Sequence, residues 1–255
     1  MIRFADKNDV KEIRELWDVV FPEEPDFNEY YFNNIFDYKN TLIMAEDNEL
    51  MSMVQMLPYE INNIGSVTYI YGAATNQKYR KQGLMSELLK KSFEIDRSRE
   101  VIASILIPAN KPLFDFYKKL GYEPLFYVEK ETYIANGYTA DIREAEYSDI
   151  SRLMRLYNGD IIRNEEYWKI QLDMYRTLGG KFFIYNDAYA VVSDKVEEIM
   201  YDNDKDRDII LNSVCNYLKC KEIEVITKGY STPLGMMRKH KNFNADKLYM
   251  NLMYN

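Results

Sequence analysis

The sequence predicts an α/β (α+β) chain of two tandem domains, each a mixed, mostly antiparallel central sheet flanked by helices. Three observations predict it. Strand-like runs and amphipathic helical runs succeed one another in the same order in both halves. The pattern Ile2-Arg3-x-Ala5-x-x-x-Asp9 recurs 140 residues later as Ile142-Arg143-x-Ala145-x-x-x-Asp149. Apolar residues make up 47% of the 255, enough to fill packed cores. The division falls at 1–137 and 138–255.

The first half opens with a short strand, Ile2 to Phe4. A helix capped near Asp6 or Asn8 follows, with Val10, Ile13, Leu16, Trp17 and Val20 on its apolar face. Pro22 and Pro25 break it, and the acidic, aromatic loop after them carries a second helix around Asn28 to Phe36. Thr41 to Glu46, Leu50 to Glu60 and Val67 to Thr75 read as a strand meander, with Asp47-Asn48 and Asn62-Asn63 supplying turn chemistry. A helix from Leu84 to about Arg97 follows. The continuous apolar run Val101 to Ile107 reads as a strand buried on both faces. Asn110 to Gly121 holds a short helix stopped by glycine, and Tyr122 to Tyr133 alternates as this half's last strand.

The second half repeats the order. The 140-residue offset matches Val10 with Ile150, Ile13 with Leu153, Leu16 with Leu156 and Trp17 with Tyr157. A helix at Glu165 to Tyr175 precedes a meander whose strands end near Tyr201. Then come a helix from Arg207 to Leu218, a strand from Ile223 to Thr227, a short helix and a closing strand from Leu248 to Tyr254.

Composition excludes several classes of function. A net charge of −8 opposes general nucleic-acid binding, which needs basic excess to neutralise phosphates. No apolar run is long enough to cross a bilayer, and a start charged from its third residue reads as lacking a signal peptide, so a cytoplasmic location and no membrane partner are expected. One histidine, His240, rules out a multi-histidine metal site and reads as solvated in its basic surroundings. Cys215 and Cys220 do not share a helix face at their spacing, which favours neither a disulfide nor a metal pair.

The stretch from Tyr69 to Leu89 carries the chemistry. Tyr69 to Thr75 ends a strand; Leu84, Met85, Leu88 and Leu89 begin a helix. Between them lies the basic turn Tyr79-Arg80-Lys81-Gln82-Gly83. Such a turn points unpaired backbone N–H groups and the positive end of a helix dipole at one spot, a recipe for holding phosphate. The matching turn of the second half, Tyr201 to Asp208, is acidic and lacks glycine, so it would repel phosphate.

Two pieces together resemble the GCN5-related N-acetyltransferase superfamily. Arg80-x-x-Gly83 resembles the acyl-CoA pyrophosphate loop Arg-x-x-Gly-x-Gly/Ala, with Met85 in place of the second glycine. Asn110, Leu113, Phe116, Tyr117, Gly121 and Tyr122 resemble the helix motif Asn-x-x-Ala-x-x-Phe-Tyr-x-x-x-Gly-Phe, with Leu113 in place of alanine. Arg-x-x-Gly followed by two aliphatics, in a tandem chain, is similar to the enhanced-intracellular-survival branch, which has an active first domain and a degenerate second one. Members of that branch carry a further lipid-carrier-like domain that these 255 residues do not include.

The resemblance implies acetyl-CoA as co-substrate, no metal, and a small-molecule or peptide amine as acceptor. Backbone N–H groups of Arg80, Lys81, Gln82, Gly83, Leu84, Met85 and Ser86 would hold the pyrophosphate. The splayed strand end Ala73, Ala74 and Thr75 would pair with the pantetheine arm, and one N–H there would stabilise the oxyanion. Asn110 would contact the pantetheine side, and Tyr117 would be the general acid for the departing thiolate. For the base, Glu23, Glu24, Asp26, Glu29 and a water relay stay open; the branch's terminal carboxylate, here Asn255, is not carried over. The expected activity is N-acetyl transfer to a primary amine by direct attack in a ternary complex. The alternative is a non-catalytic acyl-CoA-binding or regulatory module.

Overall fold

The computed structural model describes residues 1–22, 25–47 and 49–254. It divides into two compact units, residues 1–125 with 235–245 and residues 126–234 with 246–255. Among the described residues no helix is long and apolar enough to cross a membrane.

The first unit's sheet runs β1 (Ile2–Phe4), β2 (Thr41–Glu46), β3 (Glu49–Ile61), β4 (Gly65–Thr75) and β5 (Ala103–Leu106). All neighbouring pairs are antiparallel except β4 with β5. Helices α1 (Val10–Val20) and α2 (Pro25–Asn34) cover one face; α3 (Leu84–Ser98) and α4 (Lys111–Lys118) cover the other. The period-two strand pattern decides which side chain goes where. On β2, Leu42 and Met44 join Leu88, Leu89, Phe93 and Tyr117, while Ile43 joins Ile13, Leu16, Trp17 and Tyr31. Burying a leucine such as Leu88 or Leu89 contributes about 1.5–3 kcal/mol.

The second unit holds β7 (Arg143–Glu144), α5 (Ile150–Leu156), α6 (Glu165–Thr177), β8 (Lys181–Tyr185), β9 (Ala188–Val192), β10 (Val196–Tyr201), α7 (Asp204–Leu218) and most of β11 (Glu222–Lys239). Strands β7 to β10 pair antiparallel in sequence order, and β10 pairs parallel with β11. Helix α7 packs Ile210, Leu211 and Val214 against Phe183, Ala190 and Val192. The repeated arginine and aspartate do the same work in each unit. Arg3 grips Asp9 through two nitrogens at 2.6 and 2.8 Å, and Arg143 grips Asp149 in the same forked way. Each fork ties a first strand to the cap of the following helix and holds its aspartate below the usual carboxylate range.

Three sequence expectations are corrected. Strand β6 (Glu123–Ile134) does not close the first sheet: it pairs with β11, and Met236 to Lys239 take the place beside Leu106 to Ala103. The short helix expected after Thr227 is part of β11, one 18-residue strand. Tyr249 to Tyr254 is not a strand either. It is irregular but buried, and only Leu248 bridges, to Phe126. Buried carbonyls need donors, and side chains supply them: Arg163 Nη2 to Asn251 O at 2.9 Å, Tyr167 to Leu252 O at 2.5 Å and Gln171 Nε2 to Leu252 O at 3.2 Å.

Candidate functional site

Strand β4 is built to open. Its parallel pairing with β5 covers only Val67 to Tyr69 against Ala103 to Ile105. Beyond Tyr69 the edge toward β5 carries no strand partner among the described residues, while the other edge stays paired to β3 as far as Ser52↔Thr75. The β3–β4 register shifts between Met53 and Gln55, a bulge at Gly72. Gly72 has φ +54°, and the Trp17 ring lies where a Cβ would stand, 2.2 Å from it. Only glycine fits there. Trp17 is itself fixed, stacked on Tyr31 with ring centroids 5.0 Å apart and donating from Nε1 to Asn28 Oδ1 at 2.7 Å.

Past the bulge, Ser52 Oγ donates to Ala74 O at 3.0 Å and lies 2.9 Å from Thr75 Oγ1, which holds the strand end. A turn of 3-10 helix over Gln77–Tyr79 follows, capped by Asn76, and Tyr79 donates to Glu49 at 2.5 Å. Arg80 is exposed and its Nε donates to Thr75 O at 3.1 Å. Lys81 (φ +65°) and Gly83 (φ +86°) both take left-handed backbone. Gly83 is the N-cap of α3 and offers no side-chain cap, and no acceptor meets the N–H groups of Gln82 to Ser86 among the described residues. Successive free N–H groups at a helix start form an anion-binding concavity. Leu84 and Met85 turn their side chains onto the core that also holds Leu88 and Tyr117.

Asn110 is exposed and caps α4, its Oδ1 accepting from Leu113 N at 3.2 Å. Tyr117 lies in α4, 7% exposed, edge-on to Tyr122 at 5.6 Å. Burial pushes its phenol up to about 12. Tyr117 belongs to the apolar cluster against which Ala73, Leu84 and Met85 pack, so strand end, helix start and α4 share one core. Ala74 faces the other way, toward Trp17 and Tyr31.

Of the carboxylates considered as bases, Glu23 and Glu24 lie outside the described residues, as does Asn255. Glu29 is exposed, accepts from Asn33 at 2.7 Å and pairs with Arg14 at 3.5 Å; Asp26 is exposed in the first turn of α2.

Sequence reasoning missed a buried polar clamp at the closed end of the wedge. Asp96 accepts from Thr68 Oγ1 at 2.6 Å, from Ser104 Oγ at 2.8 Å and from His240 Nε2 at 3.1 Å. Thr68 and Ser104 are register partners across β4 and β5, and Arg238, the partner of Ser104 on β11, reaches His240 Nδ1 at 2.9 Å. An arginine can only donate, so Nδ1 accepts and Nε2 carries the proton. His240 is therefore not solvated as expected: its side chain is wholly buried. Nothing in its local sequence, RKHKN, signals a partner 144 residues away. Gln55 was missed too. It is buried opposite Tyr71, its Oε1 accepts from Tyr31 at 2.5 Å, and its Nε2 has no partner among the described residues.

In the second unit the corresponding features differ. Arg3 pairs with Ile43 and its repeat Arg143 with Ile184; carried across Ile43↔Met53↔Ala74 and Ile184↔Tyr189↔Met200, this makes Ala74 and Met200 equivalent. There the parallel pairing continues to Ile199↔Thr227, one residue short of Met200, whereas in the first unit it ends at Tyr69. Helix α7 starts with a side-chain cap, Asn203 accepting from Asp206 N at 2.9 Å, and Asp204 and Asp206 stand in its first turn.

Comparison with known proteins agrees with this geometry. The family described as "Acetyltransferase (GNAT) domain" matches residues 1–125. No curated protein matches the chain. Among solved structures it is similar to a GCN5-related N-acetyltransferase from Kribbella flavida (TM-score 0.72, 15% identity, 94% of this chain and 70% of that one). It is similar also to one from Anabaena variabilis (0.73, 13%, 94% and 72%) and to Eis1 from Mycobacterium abscessus (0.69, 10%, 94% and 73%). At these identities the likeness speaks for the fold. Residues 1–125 are a GNAT acetyltransferase domain, an acyltransferase domain by class.

Proposed function

We propose that the first unit transfers the acetyl group of acetyl-CoA to a primary amine by direct attack. The observation that carries this reading is the start of α3: left-handed Lys81 and Gly83 leave a run of N–H groups without acceptors, beside a strand edge that has lost its partner. The free amides of Gln82 to Ser86 suit a pyrophosphate, with Arg80 and Lys81 adding charge. The strand end Ala73, Ala74 and Thr75, on its edge away from β3, suits the amides of a pantetheine arm, as an added strand would, and an N–H at the bulge would face the carbonyl oxygen as negative charge develops. Asn110 stands at the next helix start and would meet the same arm.

Tyr117 acts on the leaving sulfur. A phenol held near 12 stays protonated through neutral pH, whereas an ordinary thiol ionises near about 8.5. Full proton transfer from such a phenol is uphill, so its work is to donate a hydrogen bond that stabilises the thiolate as the bond breaks. The gain from orienting the amine adds to this. The second unit, with its parallel pairing carried further and an acidic helix start, serves as a degenerate copy without a cofactor site.

A binding protein without transfer is the second reading. One observation favours it: of the described carboxylates considered as base, Glu29 is already paired with Arg14. Calorimetry with acetyl-CoA and a thiol-release assay over a panel of amines separate the two. Heat with turnover supports transfer, heat without turnover supports binding alone, and no heat removes both.

A further inference from the structure

The second unit contains a feature that the acyl-transfer reading does not use. Helix α7 ends in a Schellman turn: Lys219 takes left-handed backbone (φ 57°), its N–H donates to Asn216 O at 3.3 Å, and the N–H of Cys220 donates back to Cys215 O at 3.0 Å. This motif folds the residue after the left-handed one over the last turn, where side chains at those two positions touch. Here both positions are cysteines. The expectation from spacing, that they part company on the helix, is corrected by the backward turn. Cys215 is buried in the α7 core and Cys220, half-buried, packs on the same cluster. Both thiols are free.

We infer that Cys215 and Cys220 form a dithiol site that a low-molecular-weight disulfide oxidises to an intrachain disulfide. The 3.0 Å bond from Cys220 N–H to Cys215 O holds the two backbones side by side, and the two thiols interact, the approach that a disulfide needs. The roles of the two sulfurs follow from their surroundings. Burial first, and then the neighbouring Cys220 thiol, push Cys215 up to about 12, so it stays a thiol and is shielded from external reagents. Cys220 is the accessible one. Its thiolate attacks one sulfur of R–S–S–R, forming a Cys220–S–S–R mixed disulfide and expelling RS⁻. Cys215 then attacks the Cys220 sulfur; the protein S–S bond forms, the second RS⁻ leaves, and the Cys215 proton passes to the departing thiolate. Two electrons move from the protein dithiol to the oxidant, which ends as two RSH. Proximity drives the second step and outweighs the poor ionisation of Cys215.

The test uses the full chain and glutathione disulfide as the probe, followed by intact-mass measurement and a non-reducing gel. The expected wild-type product is a monomer lighter by two hydrogens, restored by dithiothreitol. Cys215→Ser (or Cys215→Ala, should the serine unfold α7) halts at one glutathione adduct on Cys220. Cys220→Ser reacts at least about tenfold more slowly, following the burial of the remaining thiol. A wild-type chain that stops at the glutathione adduct, or that links to a second chain, overturns the inference. The outcome is independent of acyl transfer.

Discussion

Trp17 occupies the space in which a side chain at position 72 would have to stand: its Cζ3 and Cη2 atoms lie 2.2 and 2.7 Å from a Cβ built on Gly72. The indole thus helps impose the bulge that turns the strand edge from Gly72 to Thr75 toward the proposed substrate. Gly72→Ala combines a left-handed strain of about 1–2 kcal/mol with overpacking of about 1–3 kcal/mol. Urea denaturation is expected to show a loss of about 3 kcal/mol, and thiol release to fall at least tenfold. In the double variant with Trp17→Leu the overpacking part returns, so its loss is smaller than the sum.

Tyr117→Phe removes one oxygen from a well-packed ring. Thiol release is expected to fall about 10²-fold, the low end for losing one donor that stabilises a developing charge, with acetyl-CoA affinity unchanged by calorimetry. Stability gives a second readout. The folded phenol sits near 12 and the unfolded one near 10, so its contribution is complete below pH 10 and is lost as pH rises toward 12. That loss is about 2–3 kcal/mol. Wild type minus Tyr117→Phe, followed by denaturation between pH 9 and 12, isolates that slope; parallel curves would exclude a buried phenol.

Lys81 and Gly83 separate backbone from charge. Lys81→Gly relieves a left-handed residue, so thermal stability holds or rises by up to about 1 kcal/mol. Acetyl-CoA affinity is expected to fall less than about fivefold, the share of one exposed charge. Gly83→Ala meets no atom within 4 Å yet strains φ, and its shift of the free amides is expected to cost about tenfold in affinity. A larger loss from Lys81→Gly than from Gly83→Ala would assign the grip to side-chain charge.

Asp96→Ala leaves Thr68, Ser104 and His240 without their shared acceptor. Removing one member of a buried charged cluster costs about 3–5 kcal/mol, and a denaturant midpoint measures it. His240→Ala, which leaves two of those donors in place, is expected to cost less. Equal losses would mean that the histidine, not the carboxylate, organises the clamp.

Arg163 and Glu198 form a wholly buried fork in the second unit at 2.6 and 2.9 Å, with Tyr189 and Tyr249 donating to the same carboxylate at 2.8 and 2.7 Å. Arg163→Met alone strands a buried carboxylate and is expected to cost about 3–5 kcal/mol. Adding Glu198→Met removes the stranded charge, so the double variant is expected to be more stable than the single one by thermal denaturation. The reverse order would show that the tyrosine bonds to Glu198 matter more than its charge.

Local chemistry was enough for much of this protein. Apolar periodicity fixed α1, α3, α6 and the strand meanders; the recurring arginine and aspartate marked a fork in each unit; Arg80, Gly83, Asn110 and Tyr117 marked a domain of the GNAT kind. These signals are legible because each is decided within a turn or a hairpin, where neighbours in sequence are neighbours in space. Long-range pairing decided the rest. Met236 to Lys239, and not β6, completes the first sheet, His240 is drawn into a pocket of Asp96 and Ser104, and the buried tail has its carbonyls bound by Arg163, Tyr167 and Gln171. A strand edge accepts whichever partner satisfies its hydrogen bonds, and a buried charge whichever donor reaches it. Neither choice leaves a trace in nearby residues, so only the folded chain could settle them.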